Sequence, residues 1–117
     1  MKKIYYLHTC STCQRILKDW SPSDDVEMRE IKSHPIQPDE LDEMKQLAGS
    51  YEALFSRRAM KYKSMGLKDK TLSEDDYRQL ILDEYTFLKR PVAVVANEIF
   101  IGSAKKTVEA AKHALQS

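Results

Sequence analysis

Apolar and polar positions along the chain change period several times, and each change marks an element. Residues 3–7 (Lys3-Ile4-Tyr5-Tyr6-Leu7) are rich in β-branched and aromatic side chains and predict a strand. From residue 11 to residue 20 the apolar positions Ile16, Leu17 and Trp20 recur at spacings of three and four, which predicts a helix with one buried side. Ser21-Pro22-Ser23-Asp24-Asp25 reads as a loop, and residues 26–31 predict a second strand. The alternation of Val26, Glu27, Met28 and Arg29 suits a half-exposed edge. His34-Pro35 breaks the chain, and Pro38 fits a first helical position with Asp39 and Glu40 behind it. Leu41, Met44, Leu47 and Ala48 make an apolar stripe, and Gly49 is a natural stop. A weaker helical patch covers residues 51–55. Ser73 followed by Glu74, Asp75 and Asp76 predicts a helix from 74 to about 85, with Tyr77, Leu80, Ile81 and Tyr85 inward. Residues 92–95, after Pro91, predict a central buried strand. A tight turn at Asn97-Glu98 leads into Ile99-Phe100-Ile101, so the two runs form a hairpin. Gly102-Ser103 opens a last helix with Ala104, Val108, Ala111 and Leu115 on its inner face.

The order is strand, helix, strand, a helical middle, then strand, strand, helix. The first crossover implies parallel pairing of the first two strands, and the hairpin implies antiparallel pairing of the last two. This predicts an α/β, thioredoxin-like (glutaredoxin-type) fold: a four-stranded mixed sheet with a helical insertion between strands 2 and 3. The expected organisation is a single domain over residues 1–117, with the insertion at about 36–86.

Composition narrows the function classes. At 117 residues, 42% hydrophobic and 32% charged, the chain has room for one modest core. A net charge of +1 gives no general field for nucleic acid or membrane, so no direct nucleic-acid partner is expected. The longest apolar run, residues 92–96, is far below a membrane span. Lys2-Lys3 is followed by too few apolar residues for a signal peptide, so the expected location is cytoplasmic.

The chain has two cysteines, Cys10 and Cys13, placed where the first strand turns into the first helix. Helix N-terminal amides and the positive end of the helix dipole favour thiolate at the first of them. The second is close enough to form a disulfide within the same turn. In a reducing compartment such a pair points to redox or metal chemistry, not to a structural staple. The other reading is a pair of small buried hydrophobes. His8, His34 and His113 are scattered without paired spacing, so no metal site is expected. His8 is a candidate acid/base or thiolate partner, or an ordinary solvated loop histidine. Arg57 and Arg58 open the densest basic stretch, which suits an anion or an exposed charged face.

Four blocks carry a resemblance over nearly the whole chain: residues 5–17 around the thiols, 53–67 (ALFSRRAMKYKSMGL), 87–95 (FLKRPVAVV) and 101–108 (IGSAKKTV). On these the chain resembles the arsenate reductase (ArsC)/Spx family of glutaredoxin-like proteins. The resemblance implies that Pro91 is a cis-proline facing the reactive cysteine. It also implies that Cys10 is the nucleophile, Cys13 the resolving thiol, and Arg90 an anion-binding or thiolate-stabilising arginine. Of the three arginines expected around an oxyanion only Arg90 matches, since Ser56 and Ser103 stand at the other two places. Leu7-His8 replaces the usual Asn-Pro or Ser-Pro before the cysteine.

Two functions follow by analogy. One is a cytosolic thiol–disulfide oxidoreductase resembling glutaredoxin-coupled arsenate reductase. It would act on a small oxyanion or disulfide, with no tightly bound cofactor and with glutathione/glutaredoxin or thioredoxin as electron donor. The other is an Spx-like redox-sensing regulator that binds the RNA polymerase alpha subunit through a CxxC disulfide switch.

Overall fold

A computed structural model describes all 117 residues. In chain order the elements are β1 (Lys2–Tyr6), α1 (Ser11–Trp20), β2 (Val26–Glu30), α2 (Pro38–Ala48), α3 (Met60–Ser64) and α4 (Glu74–Asp83). They end with β3 (Val92–Val95), β4 (Glu98–Ile101) and α5 (Lys105–Gln116). Single 3-10 turns lie at Glu52–Leu54, Leu67–Asp69 and Tyr85–Phe87. The chain divides into two compact units, one made of Met1–Pro35 with Arg90–Ser117 and the other of Ile36–Lys89.

The first unit is built on a four-stranded sheet of order β2-β1-β3-β4. β1 runs parallel to β2 and antiparallel to β3, and β3 and β4 form the antiparallel hairpin. This is the α/β mixed sheet that the element order predicts. Ile4 and Ala93 are cross-strand partners with no exposed surface, and Ile16, Trp20, Ala111 and Leu115 pack over them from α1 and α5. Each such large apolar side chain contributes about 1.5–3 kcal/mol when fully buried. The Trp20 indole N–H donates to the Val108 carbonyl at 3.0 Å, so its one polar atom is satisfied inside the core.

Several boundaries of the first unit differ from the sequence pattern, and β2 ends at Glu30, one residue before the expected Ile31. β1 begins at Lys2 and ends at Tyr6, because the Leu7 carbonyl turns out of the ladder to accept from the Cys10 N–H at 3.1 Å. The hairpin turn is Ala96-Asn97, not Asn97-Glu98, since Glu98 already pairs with Val95. Ala104 is the exposed N-cap of α5 and does not belong to the inner face.

The second unit is a small helical body. Phe55 stacks on Phe87 at 5.0 Å and lies 4.9 Å from Tyr77 and 6.0 Å from Tyr62, ring centre to ring centre. A short antiparallel bridge between Phe55 and Leu88 closes it, with the Ser56 N–H on the Phe87 carbonyl and the Lys89 N–H on the Leu54 carbonyl. Capping boxes start α2 (Gln37 with Glu40) and α4 (Ser73 with Asp76), and Gly49 ends α2 at φ 96°. Leu47, expected on the buried stripe, is exposed. The helix expected to run to about residue 85 stops at Asp83, where Glu84 takes an extended conformation.

Candidate active site

Both cysteines sit at the N-terminal end of α1. Cys10 is the N-cap, with extended φ −90° and ψ 115°, and its carbonyl accepts the first intrahelical bond from the Gln14 N–H at 3.0 Å. Ser, Thr, Asp or Asn usually fills this position, because an N-cap oxygen accepts a hydrogen bond from an amide of the first turn. Here sulfur takes that place. Burial raises the Cys10 pKa, and three groups outweigh it: the Cys13 N–H, the Cys13 thiol, and the charge and hydrogen bond of Arg90. The net result holds Cys10 below an ordinary thiol.

Cys13 is the opposite case. It has no exposed surface. Burial pushes its thiol up to about 11; the Leu7 N–H works against this, and the charge and hydrogen bond of Cys10 add to it. Of the two, Cys10 therefore loses its proton first, and the Cys13 thiol donates to the Cys10 sulfur. Both thiols are free.

Arg90 is half-buried and is joined to Pro91 by the one cis peptide bond of the chain, the geometry that the resemblance implies. Its guanidinium reaches the Cys10 sulfur. The His8 side chain is exposed, and its backbone does the structural work. The His8 N–H donates to Glu30 Oε2 at 2.9 Å, and its carbonyl accepts from Gln14 Nε2 at 2.5 Å. Arg57 and Arg58 belong to the second unit. The Arg57 guanidinium is held by Glu52 at 2.7 Å and by the Tyr77 hydroxyl at 3.0 Å, whereas Arg58 is exposed. No group of three or more His, Cys, Asp or Glu side chains converges as a metal site would require.

Sequence reasoning missed Glu30 and Gln14. A signal for each existed. Glu30 is the in-register partner of Tyr6 in the parallel pair, so the turn after β1 must pass the end of β2. Gln14 lies one helical turn beyond Cys10.

A mixed β2-β1-β3-β4 sheet with a dithiol at the start of its first helix and an Arg–cis-Pro bond entering β3 defines a thioredoxin-like protein. The ArsC family model matches residues 5–111, and the chain belongs to the ArsC family. Among similar proteins, the uncharacterised YusI of Bacillus subtilis (strain 168) is 27% identical over 103 residues, 84% of this chain and 86% of YusI. A possible arsenate reductase from Streptococcus mutans UA159 is 28% identical, with a TM-score of 0.69 over 93% of this chain and 98% of that one. An arsenate reductase from Vibrio cholerae shares the fold at 18% identity, with a TM-score of 0.75 over 97% of this chain and 96% of that one. No helix is long and apolar enough to cross a membrane.

Proposed function

We propose that the protein is a cytosolic thiol–disulfide oxidoreductase of the arsenate reductase-like kind, with Cys10 as nucleophile and Cys13 as resolving thiol. The observation that carries this reading is geometric: Cys10 is the N-cap of α1, Cys13 is buried one turn on, and Arg90 precedes the cis-proline. Cys10 is held below an ordinary thiol by the Cys13 N–H and thiol and by Arg90, while Cys13 is held protonated by burial.

On a disulfide substrate, the Cys10 thiolate attacks one sulfur, forms a mixed disulfide and expels the other sulfur as thiolate. Capture of Cys10 removes its negative charge, which is one of the causes that hold Cys13 protonated. Cys13 then loses its proton more readily and attacks the Cys10 sulfur. A Cys10–Cys13 disulfide forms and the second substrate thiolate leaves, so two electrons have passed to the substrate. On arsenate the first step forms a sulfur–arsenic(V) bond with loss of water. The attack of Cys13 then releases arsenite, and the same disulfide remains. A glutathione/glutaredoxin or thioredoxin donor restores the dithiol by exchange. Arg90 is the cation for an oxyanion at this site.

The test is turnover of arsenate and of a small disulfide with each donor, using Cys10→Ser as the inactive control. Turnover that disappears in Cys10→Ser supports the reading, and absence of turnover with both substrates and both donors rejects it. A second reading rests on Ser56 and Ser103 standing where two oxyanion arginines are expected. It is a Spx-like regulator in which the same dithiol switches binding to the RNA polymerase alpha subunit. Redox-dependent capture of polymerase with no turnover would select it.

A further inference from the structure

The turn that carries the thiols is held by two side chains with no assigned role. His8 lies two residues before Cys10. Its peptide groups are gripped from both sides: the N–H by Glu30 Oε2 at 2.9 Å and the carbonyl by Gln14 Nε2 at 2.5 Å. We infer that Glu30 and Gln14 are positioning residues for the dithiol, forming a clamp on the His8 backbone that keeps the Cys10 sulfur against the Cys13 amide and Arg90. The inference rests on the reading of Cys10 as an activated nucleophile and adds the residues that hold it in place.

The geometry of the clamp follows from the sheet. Parallel register sets Glu30 beside Tyr6, and the Ile31 N–H still donates to the Tyr6 carbonyl at 2.9 Å. The Glu30 side chain therefore emerges where the chain leaves β1. Its Oε1 accepts from the Lys32 N–H at 2.9 Å and the Ser33 N–H at 2.7 Å, which fixes the carboxylate from its own side. The free oxygen, Oε2, is left for His8. Gln14 projects back from the first full turn of α1, the same turn whose Cys13 amide faces Cys10. The clamp thus joins three elements that meet at the thiols: the end of β1, the end of β2 and the start of α1. Leu7, next to His8, accepts from the Cys10 N–H and directs its own N–H to the Cys13 sulfur. A shift of the His8 peptide would move the Cys10 backbone and the Leu7 contact to the Cys13 sulfur together.

A Glu30→Gln change is selective. An amide has one accepting oxygen and one donating NH2. Turned to serve Lys32 and Ser33, the oxygen leaves NH2 facing the His8 N–H, two donors against each other. The local turn survives and the tie to the thiol turn is lost. Gln14→Ala breaks the other jaw without changing any charge.

The experiment is the pH profile of Cys10 alkylation by iodoacetamide in the reduced, full-length protein, read by mass spectrometry, for wild type, Glu30→Gln and Gln14→Ala. Wild type is expected to react well below the free-thiol range. Each variant, with unchanged near-ultraviolet circular dichroism, is expected to react about three- to tenfold more slowly near about pH 6.5 and to converge with wild type at high pH. Loss of the Glu30 charge alone would move Glu30→Gln the other way, so slower reaction cannot come from charge. A folded Gln14→Ala with a wild-type or more acidic profile overturns the clamp. It also decides the matter alone should Glu30→Gln fail to fold. A wild-type profile at the free-thiol position overturns the nucleophile reading and the clamp together.

Discussion

The guanidinium of Arg90 hydrogen-bonds the sulfur of Cys10 from the residue before the cis-proline, and its charge favours the thiolate. The contact joins the start of β3 to the start of α1, two ends that the sheet order brings together. Replacing Arg90 by Met removes the charge and the donor but leaves the Cys13 amide in place. The expected result is an upward shift of the Cys10 titration by about one unit, with alkylation near neutrality slowed about tenfold. An unchanged titration would mean that Arg90 does not act on the thiol.

Stability of the reduced protein should carry the signature of both thiols. The folded pKa of Cys13 is raised to about 11, first by burial, so its contribution is fully present below the unfolded thiol value and is lost as pH rises through about 11. Cys10 is lowered, so its contribution is present above the unfolded value and is lost as pH falls through the folded one. Cys13→Ala is expected to remove the alkaline loss of stability seen in denaturant titrations. Cys10→Ser is expected to flatten the change on the acid side.

Asp42 binds Arg78 through both oxygens, at 2.8 and 3.2 Å, and accepts from the Tyr51 hydroxyl at 2.5 Å. The hydrogen bond from Arg78, then that from Tyr51, holds its carboxyl down to about 2. Its contribution is present above the unfolded carboxylate range and is lost as pH falls towards 2. Acid denaturation of Asp42→Asn should therefore lack the part of the wild-type transition that falls in that window. Overlapping acid transitions would contradict a role for the carboxylate.

Ala96 occupies the hairpin turn at φ 53°, a left-handed conformation that costs a residue with a Cβ roughly 1–2 kcal/mol. Ala96→Gly is expected to raise unfolding free energy by about 0.5–1 kcal/mol, with part of the relief offset by the greater freedom of glycine in the unfolded chain. Trp20→Ala should cost about 3–5 kcal/mol, since it empties the contact between α1 and α5. Urea titrations of both variants check these values.

Much of the first unit was legible in the sequence because its signals are local. The bounds of α1 follow from the period of Ile16 and Trp20 and from an N-cap position filled by Cys10. The β3–β4 pairing follows from two short apolar runs with a turn between them. What was not legible depends on register or on competing contacts. Only the pairing of Tyr6 with Glu30 shows that a carboxylate from β2 reaches the backbone of His8. Leu47 fits the helical period of α2 yet is exposed, because period alone does not fix the width of the covered stripe. The basic stretch after Phe55 gives no period that separates an anion-binding arginine from Arg57 as found, held by Glu52 and Tyr77.

The most direct test of the central claim is the ultraviolet thiolate titration of the fully reduced protein, read against Cys10→Ser and against the Cys10→Ser/Cys13→Ser double variant, whose subtraction cancels the six tyrosines. Two separated steps are expected: one below the free-cysteine value that vanishes in Cys10→Ser, and one near 11 from Cys13. Two overlapping steps at the ordinary thiol value would contradict the account, because neither cysteine would then be set apart as nucleophile.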